Sequence, residues 1–196
     1  MNAAFERALA FTLTWEGGFS DDPRDPGGAT KYGVSFRFLR GLSLSEADMN
    51  RDGVLSWRDV RDMPESAAAG IYLKYFWAPL RLDQVPESLA AAVFDAAVNL
   101  GRSRSATFLQ EGVNAVLAGD GEPLRVDGAA GPKTLAAVGR AWAQDGGRAL
   151  LEEVLRRRAG YYLRLGQTKQ FAWALGGWMN RTRDLWAATA GTKCPF

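Results

Sequence analysis

Residues 14–35 read TWEGGFSDDPRDPGGATKYGVS, and this stretch decides how the rest of the chain is interpreted. It holds four carboxylates, five glycines and two prolines in 22 residues. Asp-Pro, Pro-Gly and Gly-Gly steps are typical of turns, so a loop-rich region with a short β-hairpin is expected over residues 17–35. Glu16 stands immediately before a Gly-Gly pair, which predicts that a helix ends at this residue.

The residues before this stretch predict an amphipathic helix over residues 3–16. Glu16 continues an apolar stripe, since Leu13, Leu9 and Phe5 precede it by three, seven and eleven residues and share its helix face. Burial beside the stripe and the negative end of the helix dipole both disfavour the charged form of a carboxyl. Such an environment raises the pKa of a carboxyl, as a general acid requires near neutral pH. The alternative is a frayed helix end whose side chain bends into water.

Two polar residues follow Glu16 closely enough to share a site with it. Asp25 comes nine residues after Glu16, and Thr30 comes five residues after Asp25. Glycosidic bond cleavage uses one protonated carboxyl at the leaving oxygen and an ionised carboxyl on the opposite face of the sugar. We therefore expect Glu16 as general acid, Asp25 as the base that activates water, and Thr30 as the residue that orients the water. Asp21 and Asp22 are rivals of Asp25, and each also suits an Asx turn.

The composition excludes several kinds of catalysis. A chain of 196 residues with 47% hydrophobic residues can bury one substantial core. It contains no histidine, which excludes serine–histidine and cysteine–histidine catalysis and histidine-ligated zinc. Cys194 is alone, so no internal disulfide is possible. Acid–base chemistry must therefore fall to carboxylates, and no cofactor is expected for catalysis.

Apolar periodicity predicts that the fold is mainly α, with a short loop or β-hairpin region after the first helix. We expect a single domain over residues 1–196, with a catalytic region at 1–118 and a C-terminal helical region at 119–196. No run reaches the length of a membrane-spanning helix, and the N-terminus lacks the apolar stretch of a signal peptide. Synthesis in the cytoplasm is therefore expected. Asn2 is the predicted N-cap of the first helix, and the later helices are predicted at 64–77, 87–100, 103–118, 132–143, 147–166 and 180–189.

Charge is unevenly distributed along the chain. Residues 1–66 carry eight Lys/Arg against eleven Asp/Glu, whereas residues 67–196 carry sixteen against eleven. Solvated helix faces explain such an excess, and attraction to an anionic envelope surface is the alternative. No nucleic-acid-reading motif accompanies the arginines, so nucleic acid is not an expected partner. The basic residues of the C-terminal region are Arg156, Arg157, Arg158, Arg164, Lys169, Arg181 and Arg183.

Residues 48–59 read DMNRDGVLSWRD, which has the spacing of an EF-hand calcium loop. Gly53 occupies the sixth place, where glycine permits the sharp turn. Asp59 stands at the twelfth place, where the pattern prefers glutamate, so weaker calcium binding is expected. An acidic surface turn is the alternative. The predicted ligands of a structural or regulatory Ca²⁺ are Asp48, Asn50, Asp52, the carbonyl of Val54, Ser56 and Asp59.

The motif EGGFSDDPRDPGGATKYGVS resembles the N-terminal signature of family 108 of the glycoside hydrolases, the bacterial and phage N-acetylmuramidases. The spacing Glu-x8-Asp-x4-Thr is similar to that of the catalytic triad of phage-type lysozymes. The resemblance implies a lysozyme-like α fold and cleavage next to N-acetylmuramic acid in peptidoglycan. Other stretches that match the family are IYLKYFWAPL from Ile71, VFDAAVNLG from Val93, VDGAAGPKTLAAV from Val126 and GGWMNRTRDL from Gly176.

The resemblance also implies a biological setting, that of a phage or prophage endolysin. Such an enzyme waits in the cytoplasm as a monomer until a holin-type pore releases it to the cell wall in the periplasm. The segment VDGAAGPKT resembles the turn and helix start of small peptidoglycan-binding modules, although a plain helix N-terminus fits it equally well. Two other functions stay open: a lytic transglycosylase that uses Glu16 alone, and a non-catalytic, calcium-dependent peptidoglycan-binding protein.

Three further residues are candidates for contact with substrate. Tyr32 and Trp178 are expected to stack on sugar rings, although most aromatic residues at helical spacing belong to a core. Asn99 is expected to hydrogen-bond a glycan, and its place just before Gly101 also suits a helix cap.

Overall fold

The structure is a computed structural model, and it describes residues 2–21, 28–191 and 194. By its internal contacts the chain divides into two compact units, Leu9–Lys74 and the combination of Met1–Ala8 with Tyr75–Phe196. The expected single domain with a C-terminal region from residue 119 stays a prediction. Within the described residues, no helix combines the length and apolar character needed to cross a membrane.

Helix α1 spans Ala3–Glu16, as the sequence predicts. The Asn2 side chain accepts a hydrogen bond of 3.0 Å from the amide of Ala4, which caps the helix at its N-terminus. The helix stops before Gly17, whose φ of 70° is the left-handed conformation that commonly follows a helix.

The predicted hairpin is confirmed in the unit Leu9–Lys74. Strand β1, Thr30–Lys31, pairs antiparallel with strand β2, Val34–Ser35. The two turn residues Tyr32 and Gly33 have φ values of 52° and 76°. Positive φ at both positions is typical of the type I′ turn, whose twist matches that of the two strands. Ser20 adds an isolated antiparallel bridge to Thr30, so a third segment lies against β1.

The rest of this unit consists of short helices joined by turns. The sequence predicts none of the first three, because four to six residues are too few to show helical periodicity. The fourth continues into a π-helical turn, Leu73–Trp77, so that the predicted helix at 64–77 is confirmed in outline. These helices are α2 at Phe36–Leu39, α3 at Leu44–Ala47, α4 at Trp57–Asp62 and α5 at Glu65–Tyr72.

The second unit is an all-helical bundle, and the helices predicted for it are all present. The last helix begins five residues earlier than predicted, because Gly176 and Gly177 lie inside its first turn instead of ending the preceding loop. Single 3₁₀ turns occur at Ala78–Leu80, Leu82–Gln84 and Ala172–Ala174. The helices are α6 at Glu87–Leu100, α7 at Arg102–Val116, α8 at Pro132–Asp145, α9 at Arg148–Gly166 and α10 at Leu175–Ala190.

Three aromatic rings form the centre of one part of this unit. Phe5, Trp77 and Phe94 are fully buried, and each ring meets the other two edge to face at centroid distances of 5.3 to 5.7 Å. Such pairs stabilise a core by about 0.5–1.5 kcal/mol each beyond the area they bury. The first turns of α1 are thereby fixed against α6.

A buried charged cluster joins α6, α9 and α10. Arg181 donates to both carboxylate oxygens of Asp95 at 2.7 to 3.1 Å, and Arg158 Nη1 lies 2.7 Å from Asp95 Oδ2. Burial alone would raise the pKa of Asp95, but the two guanidinium groups hold that pKa below its ordinary value. The sequence placed Arg158 and Arg181 on a basic surface, and this was wrong, because their side chains are only 0% and 5% exposed.

Candidate active site

Glu16 occupies the last turn of α1, where the predicted apolar stripe ends. Phe5 and Leu9 are buried, and Leu13 and Glu16 are half-buried. Within the Glu16 carboxyl, Oε1 is buried. The side chain therefore follows the stripe inward instead of bending away into water as a frayed helix end would.

The turn of the hairpin approaches the Glu16 carboxyl at Gly33. A Cβ atom on Gly33 would lie 2.7 Å from Glu16 Oε2 and 2.4 Å from the hydroxyl oxygen of Tyr72. Contacts that short do not occur for real side chains, so only glycine allows the backbone to come this close. The positive φ of Gly33 adds a second requirement for glycine at the same place.

Tyr72 fixes the position of this turn. It is buried at the end of α5, and its hydroxyl donates a hydrogen bond of 2.7 Å to the backbone carbonyl of Tyr32. The hydroxyl oxygen and Glu16 Oε2 both lie within 2.7 Å of the position that a Gly33 Cβ would take. The sequence does not predict this hydrogen bond, because the two residues are 40 positions apart.

Thr30 stands in the middle of a row of hydroxyl side chains. Its backbone exchanges two hydrogen bonds of 2.8 Å with Ser20, and it pairs with Ser35 across the hairpin. Directly paired residues of an antiparallel sheet project from the same face, so the three hydroxyls share one face. The Thr30 hydroxyl donates to the carbonyl of Gly28 at 3.2 Å.

The predicted base, Asp25, lies outside the described residues, as does its rival Asp22. The other rival, Asp21, is described and exposed. Glu16, Thr30 and Tyr32 belong to the same compact unit, Glu16 at the end of α1 and the other two in the hairpin. Their roles stay predictions.

The predicted calcium loop folds around its own carboxylates. Asp48 accepts hydrogen bonds from the amides of Asp52 and Gly53 at 3.1 and 2.9 Å. Asp52 in turn accepts one from the amide of Val54 at 2.8 Å, and the Asn50 side chain accepts one from the Asp52 amide at 3.0 Å. The sharp turn falls at Gly53, whose φ is 81°.

Asp59 closes this loop. It is fully buried, and its carboxylate accepts 2.9 and 2.7 Å hydrogen bonds from the amides of Met49 and Ser56. The second bond, together with the Ser56 side chain, forms a capping box at the start of α4. Asp59 thus joins the beginning of the loop to the helix that follows it.

Carboxylate, amide, hydroxyl and carbonyl oxygens are the donors that calcium takes, and an oxygen that accepts one amide hydrogen keeps a second lone pair. The loop therefore fits calcium in its chemistry. Within residues 2–21, 28–191 and 194, however, no group of three or more His, Cys, Asp or Glu side chains is arranged to hold a metal. The calcium site stays a prediction.

Asn99 and Trp178 lie together, on either side of Tyr162. The Tyr162 hydroxyl donates to Asn99 Oδ1 at 2.5 Å, and the Trp178 ring stacks on the Tyr162 ring at a centroid distance of 5.0 Å. Arg158 of the buried cluster donates to the same hydroxyl at 3.1 Å. The C-cap of α6 is Gly101 and not Asn99. Contact of either residue with substrate stays a prediction.

The segment VDGAAGPKT is held by Gln110, a buried residue of α7 that the sequence analysis missed. Its amide nitrogen donates to Asp127 Oδ1 at 2.8 Å and to the carbonyl of Ala129 at 2.9 Å, and its oxygen accepts from the amide of Gly128 at 2.9 Å. Helix α8 begins at Pro132, as predicted. These contacts account for the segment as a turn that is hydrogen-bonded to α7.

Two parts of the chain match known families. Residues 9–101 match the family described as Glycosyl hydrolase 108. Residues 104–183 match a second family, described as Predicted Peptidoglycan domain. The first match contains Glu16, the hairpin and the loop at 48–59, and the second contains α8, α9 and the first part of α10. Together the two matches indicate a glycosyl hydrolase that acts on peptidoglycan.

A solved structure is also similar to this chain. It is described as "Structure of Brucella abortus SagA", and it shares 25% sequence identity with a TM-score of 0.72. The alignment covers 95% of this chain and 94% of that chain. The fold is accordingly mainly α and lysozyme-like, as the sequence predicted. A search of curated proteins found no match.

Proposed function

We propose that this protein is an N-acetylmuramidase of the endolysin type. It hydrolyses the β-1,4 bond between N-acetylmuramic acid and N-acetylglucosamine in peptidoglycan. The observation that carries the proposal is the Glu16 carboxyl, half-buried at the end of α1 and held against the Tyr32–Gly33 turn. It supports the proposal because this carboxyl lies within the part of the chain that matches Glycosyl hydrolase 108.

In the proposed reaction, Glu16 gives its proton to the glycosidic oxygen as the bond from that oxygen to the muramic-acid anomeric carbon breaks. Water attacks the same carbon from the opposite face of the sugar, and Asp25 takes the proton that the water loses. Thr30 orients this water. Separate carboxyl groups with a water between one of them and the sugar lead to inversion of the anomeric configuration.

Gly33 and Tyr72 position the acid without taking part in proton transfer. Gly33 lets the turn touch the Glu16 carboxyl, and Tyr72 holds the turn through the Tyr32 carbonyl. The distance between Glu16 and the hydroxyl row of Thr30 therefore depends on one buried phenol. Catalysis by a carboxyl pair is sensitive to misplacement of about 1 Å.

We also propose that the loop at 48–59 binds Ca²⁺ as a structural ion. Asp48, Asn50 and Asp52 already share hydrogen bonds around one turn, and Asp59 connects that turn to α4. The residues that would hold the ion are those predicted from the sequence. Isothermal titration with Ca²⁺, compared with Mg²⁺ and with Asp48→Ala, tests this proposal, and absence of binding heat at millimolar Ca²⁺ would overturn it.

Action at the cell wall is part of the same proposal, since peptidoglycan is found there. Of the basic residues expected at an anionic envelope surface, Arg156 and Arg157 pair with glutamates of their own helix, which reduces their contribution. The exposed members that best support such an approach are Arg164, Lys169 and Arg183.

The test is a digest of purified peptidoglycan by the wild type and by Glu16→Gln, with borohydride reduction and mass spectrometry of the products. Glu6→Gln is the matched control, because Glu6 is an exposed carboxylate on the same helix. Reduced muramic-acid ends from the wild type and from Glu6→Gln, with none from Glu16→Gln, are expected.

Other products would identify a different function. Anhydro-muramic ends would mean a lytic transglycosylase, and no soluble product from any variant would mean a binding protein. NMR of fresh products would test inversion, since an α-anomer formed first is required by the proposed mechanism.

A further inference from the structure

An exposed tryptophan lies at the start of α4, beside the calcium loop. Trp57 is 43% exposed, and it is among the large apolar residues that the unit does not bury. Two arginines of the same helix cover its ring: the guanidinium carbon of Arg61 lies 5.2 Å from the ring centroid and that of Arg58 lies 5.9 Å away. Such contacts hold a guanidinium in place at the surface of the protein.

Three cations surround a single carboxylate at this position. Asp62 accepts two hydrogen bonds from Arg61 at 2.7 and 2.8 Å. The hydrogen bond from Arg61 and the nearby charges of Arg61, Lys31 and Arg58 lower the pKa of Asp62. Lys31, Arg58, Arg61 and Asp62 together form a group with an excess of two positive charges. Residues 9–74 as a whole carry ten acidic against eight basic residues. The local charge is opposite in sign to that of its unit.

This group is continuous with the catalytic hairpin. Lys31 of β1 donates a hydrogen bond of 2.7 Å to the carbonyl of Arg61, and its ammonium lies 5.3 Å from the centre of the Tyr32 ring. Tyr32 precedes Gly33, the residue that touches the Glu16 carboxyl.

We propose that Lys31, Trp57 and Arg58 form a subsite that binds the carboxylates of the stem peptides on a peptidoglycan strand. Arg58 and Lys31 provide the charge, and Trp57 is a positioning residue that holds the guanidinium groups outward. The proposal rests on the proposed function, because it assumes that the strand passes Glu16. A strand of uncharged sugars with spaced carboxylates suits a small cationic group within an acidic unit, whereas that unit would repel a dense polyanion such as nucleic acid.

The test compares Arg58→Glu with Arg37→Glu, a charge reversal at another exposed arginine of the same unit. Each is assayed on intact peptidoglycan and on glycan strands whose stem peptides have been removed by an amidase. An exposed ion pair contributes up to about 1 kcal/mol. Arg58→Glu removes the attraction to a stem-peptide carboxylate and adds repulsion, and should therefore raise KM about 5- to 10-fold on intact peptidoglycan. We expect no change in kcat, no change on stripped strands, and no effect of Arg37→Glu on either substrate.

Binding gives a readout that does not depend on activity. Cosedimentation with insoluble peptidoglycan should weaken for Arg58→Glu and, to a smaller extent, for Trp57→Phe, and should weaken for the wild type when the wall carboxyls are amidated. Equal effects of Arg58→Glu and Arg37→Glu, or an equal KM change on stripped strands, would overturn the subsite. A wild type that releases nothing but shows these binding differences would refute the proposed hydrolysis and leave the subsite standing.

Discussion

Two carboxylates, one in each compact unit, lie in opposite environments. Glu16 is half-buried at the end of a helix, next to a turn and a tyrosine hydroxyl. Asp95 is 1% exposed in the middle of a helix and contacts two guanidinium groups. Cationic neighbours that hold a carboxyl ionised stop it from serving as a proton donor. The difference teaches that Asp95 joins helices, whereas Glu16 keeps the partial exposure that its proposed role as a proton donor requires.

The largest expected effect separates these two roles. Asp95→Asn should lower the free energy of unfolding by about 3–5 kcal/mol, because it leaves two guanidinium groups buried without their carboxylate. Glu16→Gln should change it by less than about 1 kcal/mol while abolishing muramidase activity. Urea denaturation followed by tryptophan fluorescence measures the free energy of unfolding of both variants. Similar losses of stability in the two variants would refute the distinction.

A smaller effect is expected from the contact between the turn and the acid. Gly33→Ala adds a Cβ to a space already filled by Glu16 and Tyr72, and should cost about 1–3 kcal/mol of stability. Activity should fall at least about 10-fold, since the carboxyl must move. Gly18→Ala is the control, because its Cβ meets nothing within 4 Å and its φ is not positive. If the control loses as much activity, the contact at Gly33 has no special role.

The hydrogen bond from Tyr72 should have a smaller effect again. Tyr72→Phe removes one bond to the Tyr32 carbonyl, which is expected to cost about 1 kcal/mol and to lower kcat. Tyr32→Phe keeps that carbonyl and should leave the melting temperature unchanged. Thermal denaturation by circular dichroism decides the matter, and an unchanged Tyr72→Phe would show that the turn is held by other contacts.

The smallest expected effect is a change in the pH dependence of stability. The pKa of Asp95 is lower in the folded protein than in the unfolded chain, so its ion pairs contribute fully above about pH 4, the unfolded value. That contribution is lost as the pH falls through the folded pKa. Acid titration of the wild type should therefore show an additional loss of stability below about pH 4, and this loss should be smaller in Asp95→Asn. Parallel curves would contradict this account.

The sequence predicted those features that depend on neighbouring residues. Asn2 as a cap, the end of α1 at Glu16 and the hairpin after it follow from local turn chemistry, and the structure shows all three. The contact of Tyr72 with Tyr32 depends on residues far apart in the chain, and no periodicity reports it.

The burial of Arg158 could have been found in the sequence. Arg158 shares a face of α9 with the buried residues Val154, Leu155 and Tyr162, at the spacings expected of a helix. The expectation that arginines are solvated outweighed this signal. Its carboxylate partner lies 63 residues earlier, on α6, and only the tertiary structure brings the two together.

The left-handed conformation of Tyr32 sets the stability of the turn against the contact with sugar rings predicted for this residue. The first position of a type I′ turn favours asparagine, and a bulky side chain with positive φ is strained by about 1–2 kcal/mol. A chain optimised for folding alone would carry asparagine at this position, and Tyr32→Asn should accordingly make the protein more heat-resistant. The same substitution would remove the aromatic ring from the turn beside Glu16.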